Sequence, residues 1–158
     1  MLDKLFKKYE SLGKIKKQKA GFIQVEALLQ QAILDLDEAR KILNLAERAS
    51  YLSAYMAMLK AGRALLLYKG YRPDDGAQHK TVVELTGAIL GGEFRNLTAQ
   101  FETMRRKRND MTYEAGILLS KTEAREALDD AFSLVKKILS EIKSQNPQLG
   151  INITNKSV

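Results

Sequence analysis

The stretch of this sequence with the most evident chemistry is a run of cations followed by an amide, a carboxylate and an aromatic hydroxyl. It reads Arg105-Arg106-Lys107-Arg108-Asn109-Asp110-Met111-Thr112-Tyr113. An unpaired cation costs several kcal/mol to bury, so consecutive cations do not belong in a packed core. The run therefore faces either water or an anion. Guanidinium groups hold the oxygens of a phosphate through paired hydrogen bonds, which makes a phosphate the natural candidate.

Within this run, the spacing indicates which side chains act together. Arg105 and Arg108 are three residues apart, so on a helix they flank one cleft. Asn109 orients an arginine or caps the helix end, and Tyr113 adds a hydroxyl beyond it. Arg106 is a further candidate contact. Part of the charge has an alternative explanation without a ligand, because cations near a helix C-terminus complement the helix dipole.

Two more candidate site residues lie outside the cationic run. Arg63 interrupts an otherwise apolar helix, so it must pair with an acidic residue or line a cleft. Tyr55, two turns earlier, lies on nearly the same face. His79 is the only histidine and opens a helix, where it is either a proton donor or phosphate partner, or a residue that bonds locally. A single titratable residue without a partner favours the local explanation.

Several kinds of chemistry are excluded by composition. The chain has no cysteine, which excludes disulfides and cysteine-bound zinc, and one histidine does not make a histidine-rich metal site. There is no phosphate-binding P-loop motif and no evident Ser-His-Asp or Cys-His set. We therefore expect no metal and no cofactor.

The size and charge of the chain narrow the possible partners. It has 158 residues, the length of one ordinary domain, and a net charge of +7, which favours a polyanionic partner. No apolar run is long enough for a membrane span, and the N-terminus lacks the apolar core of a secretory signal. We expect a cytoplasmic protein without a membrane partner.

The apolar spacing predicts an all-α protein. Apolar residues recur every three or four positions, which predicts helices over residues 21–45, 50–69, 78–90, 93–109 and 120–144. The expected fold is an antiparallel four-helix up-down bundle with one or two short accessory helices. Its expected organisation is a basic N-terminal helix or arm over 1–20, the bundle over 21–144, and a flexible tail over 145–158.

Three stretches resemble the HEPN domain family (higher eukaryotes and prokaryotes nucleotide-binding), and the resemblance covers about 22–143. Residues 54–66 are similar to the second core helix of the family. The segment Gly70-Tyr71-Arg72-Pro73, followed by His79-Lys80-Thr81, is similar to its glycine turn and next helix start. The third stretch is Arg108-Asn109 with its aromatic end.

The resemblance implies an antiparallel four-helix bundle that commonly forms a homodimer. Many members are metal-independent ribonucleases or toxins, often paired with a nucleotidyltransferase antitoxin, and their signature is R-x(4–6)-H. Here Arg108 and Asn109 match the first half of that signature, whereas no histidine follows and Tyr113 stands in the expected position. Tyrosine near this motif is also a nucleotide-modification target in some toxin pairs, so the resemblance makes Tyr113 a candidate acceptor.

Three functions follow as hypotheses. The leading one is an RNA- or nucleotide-binding protein, as part of a toxin–antitoxin-like pair with a nucleotidyltransferase, with contacts from Arg63, His79, Arg105, Arg106 and Arg108. The second is a metal-independent ribonuclease that uses Arg108, Asn109 and Tyr113, with Tyr113 or His79 in place of the missing base. The third is a helical protein-interaction module without nucleic-acid contact.

Overall fold

The computed structural model describes residues 1–19 and 21–151, and this part of the chain is mostly helical. The elements in chain order are α1 (Leu2–Ser11), β1 (Ile15–Lys17), α2 (Phe22–Ile42), α3 (Glu47–Tyr68), β2 (Tyr71–Pro73), α4 (Gln78–Leu90), a short 3₁₀ turn (Gly92–Phe94), α5 (Arg95–Tyr113) and α6 (Lys121–Gln145). The predicted all-α bundle is confirmed. Helices α2, α3, α5 and α6 are its long members, and α1 and α4 are the shorter, accessory ones.

Helix α3 lies at the centre because it is apolar on nearly every side. It packs against α2, α4, α5 and α6, and twelve of its residues are buried. Gly62 allows α4 to approach closely, because a Cβ atom at this position would lie 2.7 Å from Val82 Cγ1 and 2.8 Å from Thr86 Oγ1. This tight packing holds α4, whose second residue is His79, against the side of α3 that carries Tyr55.

Helix α5 is longer than the sequence predicted. The predicted end near Asn109 is wrong, since the helix continues to Tyr113. Met111 is buried and the Thr112 hydroxyl donates to the carbonyl of Arg108, so the last turn is stabilised by packing and by a hydrogen bond. The charged run therefore lies within the C-terminal half of a helix, and the loop begins at Glu114.

A small antiparallel ribbon was not predicted. Strands β1 and β2 pair with Ile15 opposite Pro73 and Lys17 opposite Tyr71. Three-residue strands are too short to show an alternating pattern, so no periodicity in the sequence indicates them. The ribbon joins the N-terminal segment to the bundle, and α1 packs there through Phe6, whose ring stacks on Tyr71 with centroids 4.7 Å apart.

The segment after α6 begins as packed structure. Leu149 and Ile151 are buried in the core, so the first part of the predicted flexible tail contributes to packing. The side-chain amide of Asn146 donates to the carbonyl of Ile142 and to the hydroxyl of Tyr68, which holds this segment beside α3. The remainder of the predicted tail, 152–158, lies outside the described residues. Within the described part, no helix has the length and apolar character needed to cross a membrane.

Candidate anion-binding site

One face of α5 carries the side chains that form the candidate site. Arg105, Arg108, Asn109 and Tyr113 follow a spacing of three, one and four residues, which places them in one stripe along the helix. They line a cavity of about 530 Å³, which we call the arginine cavity. Tyr113 belongs to this stripe because α5 continues to Tyr113, past the predicted end of the helix at residue 109.

The opposite wall of the arginine cavity is the start of α4 and the turn before it. The residues on this wall are Asp75, Gly76, Ala77, Gln78, His79 and Lys80. Helix α4 starts after Ala77, whose side chain provides no cap, and the first-turn N–H groups of a helix have no partner within the helix. Such a helix start attracts an anion through these N–H groups and the helix dipole.

His79 is held by a hydrogen bond to the core. The Tyr55 hydroxyl lies 2.8 Å from His79 Nδ1, and the two ring centroids are 5.8 Å apart. Tyr55 is fully buried and also packs against the ring of Phe101. Burial raises the pKa of Tyr55, so its hydroxyl stays protonated.

Burial and nearby cations together favour the neutral form of His79. Burial of the imidazole lowers its pKa below the ordinary value of 6.5, and the positive charges of Arg108, Arg63 and Arg105 lower it further. At neutral pH the ring is therefore uncharged. It presents Nδ1 to Tyr55, and its other nitrogen, Nε2, has no hydrogen-bond partner within residues 1–19 and 21–151 and so is available to a ligand.

The two arginines on the α5 wall have different partners. Arg105 is mostly covered, with 14% of its side chain exposed, and it donates to both carboxylate oxygens of Glu102 at 2.9 and 2.7 Å. The hydrogen bond from Arg105 lowers the pKa of Glu102, so this pair is ionised and its charge is compensated. Arg108 instead donates to the neutral side-chain amide oxygen of Asn109 at 3.2 Å.

Arg63 reaches the edge of the same region. Its guanidinium lies 3.4 Å from Gln78 Oε1, again a neutral partner, and Gln78 lines the arginine cavity. Among the described residues, neither Arg63 nor Arg108 forms an ion pair with a carboxylate. Asp75 is the carboxylate among the lining residues, and it accepts weakly from the Thr81 hydroxyl at 3.3 and 3.4 Å. The cavity therefore has more positive than negative charge.

The other two cations of the run point elsewhere. Arg106 is 74% exposed and pairs with Glu102, while Lys107 pairs with Glu123 of α6 at 2.9 Å. Neither of them is among the residues that line the cavity. Arg106 as a nucleic-acid contact stays a prediction. Tyr113 lies at the cavity with 81% of its surface exposed.

The structure brings together most of the residues predicted for the site. Arg105, Arg108, Asn109, Tyr113 and His79 share one cavity, with Arg63 at its edge. The sequence did not identify Tyr55 as the partner of His79, nor Gln78, Lys80 and Asp75 as lining residues. Asp75 and Gly76, in the turn before α4, lie opposite α5 because of how α4 packs, and local sequence does not show this.

Comparison with protein families agrees with this architecture. The family model described as "HEPN domain" matches residues 25–143, which is most of the chain and includes α3, α4, α5 and nearly all of α6. The protein therefore belongs to the HEPN domain family. No curated protein matches the chain.

Proposed function

We propose that the protein binds RNA or a nucleotide by holding a phosphate group in the arginine cavity. Membership of the HEPN family suggests a function related to nucleotides or RNA. The net charge of +7 favours approach of a polyanion. The cavity combines cationic side chains, an imidazole and a helix start, all of which interact favourably with phosphate oxygens.

The observation that carries this proposal is the partner of Arg108. Its guanidinium is half-buried in the cavity, yet its hydrogen-bond partner is the neutral amide of Asn109. A partly desolvated cation beside a second arginine and a helix start is unfavourable unless an anion joins it. A phosphate in the cavity supplies that negative charge and accepts from the free N–H groups of the guanidinium.

The experiment that tests the proposal compares two arginines of one helix. Binding of a short single-stranded RNA is measured for the wild-type protein, for Arg108→Gln and for Arg106→Gln. Loss of one charge-assisted hydrogen bond costs about 1.5–3 kcal/mol, so we expect Arg108→Gln to bind about 10- to 100-fold more weakly. Arg106→Gln removes the same charge from an exposed position outside the cavity, where a contact to RNA is screened by solvent, so it should weaken binding less than Arg108→Gln does. Wild-type affinity in Arg108→Gln would reject the proposal.

Arg105 is a poor choice for the same experiment. Its ion pair with Glu102 is mostly covered, and removing it would leave this partly buried carboxylate with Arg106, whose side chain is 74% exposed, as its remaining partner. A loss of binding in that variant would then combine a local structural defect with the loss of a ligand contact.

A second candidate function is metal-independent RNA cleavage. What favours it is that His79, although far from the signature position in sequence, lines the same cavity as Arg108. The assay follows cleavage of RNA in the presence of a chelator by the wild-type protein and by Arg108→Ala. Equal cleavage by both proteins, or cleavage by neither, would reject this candidate.

We also propose a homodimer and a nucleotidyltransferase partner in a toxin–antitoxin-like pair. Both proposals rest on the family resemblance. Light scattering of the purified chain tests the homodimer, and co-purification with the product of a neighbouring nucleotidyltransferase gene tests the pair. A monomer at micromolar concentration would reject the first, and purification without such a partner would reject the second.

A further inference from the structure

The hydrogen bond between Tyr55 and His79 determines which nitrogen of the imidazole carries the proton. Tyr55 is fully buried, and Nδ1 of His79 is the one hydrogen-bond partner of its hydroxyl in the described part of the chain. If Nδ1 carried the proton and donated it, the hydroxyl proton of Tyr55 would be buried without an acceptor. A buried donor without a partner is unfavourable, so the arrangement in which the hydroxyl donates to Nδ1 is preferred.

We infer that Tyr55 is a positioning residue that fixes His79 as the neutral tautomer with its proton on Nε2, so that His79 offers a hydrogen-bond donor to a phosphate oxygen in the arginine cavity. This inference rests on the proposed phosphate site. It assigns His79 to ligand binding and not to proton abstraction, because the free nitrogen already carries a proton. The cavity then contains Nε2–H, guanidinium and helix-start donors, which suits a ligand with acceptor oxygens only.

The surroundings of His79 give this site a defined dependence on pH. The groups that act on the imidazole come from two neighbouring helices: Tyr55 and Arg63 of α3, and Arg105 and Arg108 of α5. The other titratable groups that line the same cavity are Asp75, Lys80 and Tyr113. In the free protein these cations disfavour the imidazolium. A bound phosphate offsets their charge and accepts from the imidazolium, which raises the pKa of His79.

A ligand that raises a pKa binds more tightly as protons become available. Affinity should therefore be constant above the pKa of His79 in the complex and rise as the pH falls toward its pKa in the free protein. For one proton the steepest change is about tenfold per pH unit. The probe is a short single-stranded RNA without a terminal phosphate, because its phosphodiesters do not titrate in this range. In His79→Gln the rise should be absent.

The direct test is the NMR spectrum of the imidazole nitrogens in ¹⁵N-labelled protein without RNA. The chain has one histidine, so its signals need no assignment by mutation. At pH 8 we expect Nε2 to show the chemical shift of a protonated ring nitrogen and Nδ1 that of an unprotonated one. In Tyr55→Phe we expect a mixture of tautomers and a higher His79 pKa. Tyr51→Phe removes a hydroxyl from the same helix without touching the hydrogen bond, and should resemble the wild type.

The tautomer of His79 and the binding of RNA are measured separately, so the role of Tyr55 and the proposed function can fail independently. A protonated Nδ1 in the wild-type protein would overturn the role of Tyr55, even if RNA still bound and Arg108→Gln still weakened it. Absence of RNA binding would overturn the phosphate site and with it the role of His79 in it. If Tyr55→Phe does not fold, the wild-type spectrum alone decides the tautomer.

Discussion

The replacement of Gly62 by alanine tests whether α3 and α4 approach each other so closely at this position that only glycine fits. Gly62 lies in the middle of α3, where alanine is intrinsically the better helix former by about 1 kcal/mol. The added Cβ would lie 2.7 Å from Val82 Cγ1 and 2.8 Å from Thr86 Oγ1, and both of these α4 residues are fully buried. Neither side chain has a flexible end that is free to move aside, so α4 must shift.

The steric overlap of the added Cβ destabilises the protein, whereas the higher helix propensity of alanine stabilises it. Their relative magnitudes decide whether the free energy of unfolding falls or rises. Overpacking of a well-filled core costs about 1–3 kcal/mol, which equals or exceeds the gain in helix propensity. We expect Gly62→Ala to lower the free energy of unfolding by up to about 2 kcal/mol. Because the shift also moves His79 relative to Tyr55, the tautomer spectrum should change as well.

Gly87→Ala is the matched control, since Gly87 lies within α4 and the nearest atoms to its added Cβ are 3.5 Å away on Thr98. That distance is ordinary van der Waals contact, so the added Cβ causes no steric overlap. The higher helix propensity of alanine should then raise the free energy of unfolding by up to about 1 kcal/mol. Urea unfolding followed by circular dichroism measures both variants. If Gly62→Ala were stabilised as much as Gly87→Ala, the close approach of the two helices would be wrong.

Two further predictions concern stability. The pKa of His79 is lower in the folded protein than in the unfolded chain. As the pH falls below about 6.5, the unfolded chain therefore takes up the proton first. The contribution of neutral His79 to stability is complete above that pH and is lost as the pH falls toward the pKa of the folded state. Urea midpoints at pH 7.5 and 5.5 should therefore differ more for wild type than for His79→Gln, and equal differences would contradict the burial of this ring. The Thr86 hydroxyl is buried and has no hydrogen-bond partner in the described part of the chain, so Thr86→Val should raise the free energy of unfolding by about 1 kcal/mol. A decrease of that size would show that the hydroxyl has a stabilising contact.

The elements of the fold could be predicted where local signals were strong. The apolar stripe of α2 and the nearly apolar α3 gave two helices directly. The predicted start of the last helix at residue 120 agrees with the start of α6, where Ser120 Oγ accepts from the backbone N–H of Glu123 at 3.0 Å. These features depend on residues within one or two turns of each other, which the sequence alone displays.

The features that were missed depend on contacts between distant parts of the chain. The ribbon pairs residues near 15 with residues near 73, and strands this short have no pattern of their own. The last turn of α5 is held by the burial of Met111. Tyr55 and His79 are 24 residues apart and meet only because Gly62 allows α4 to lie close to α3.

The candidate site was therefore predicted in part. The cationic run indicated an anion site, and spacing and family resemblance singled out Arg108, but Arg106 remained a further candidate contact. Their partners separate them, because Arg108 lies in the cavity beside a neutral amide and Arg106 lies outside it beside Glu102. His79, which the sequence left as a helix-start residue or phosphate partner, lies on the wall opposite Arg108.

Whether RNA binds in the arginine cavity is decided by following the NMR signals of the His79 ring while RNA is added. The chain has a single histidine, so its imidazole reports on the arginine cavity alone. If phosphate binds in this cavity, the His79 signals shift during the titration, and the dissociation constant from those shifts equals the one from total binding. If RNA binds while the His79 signals stay in place, RNA binds at another surface and the arginine cavity is not the phosphate site.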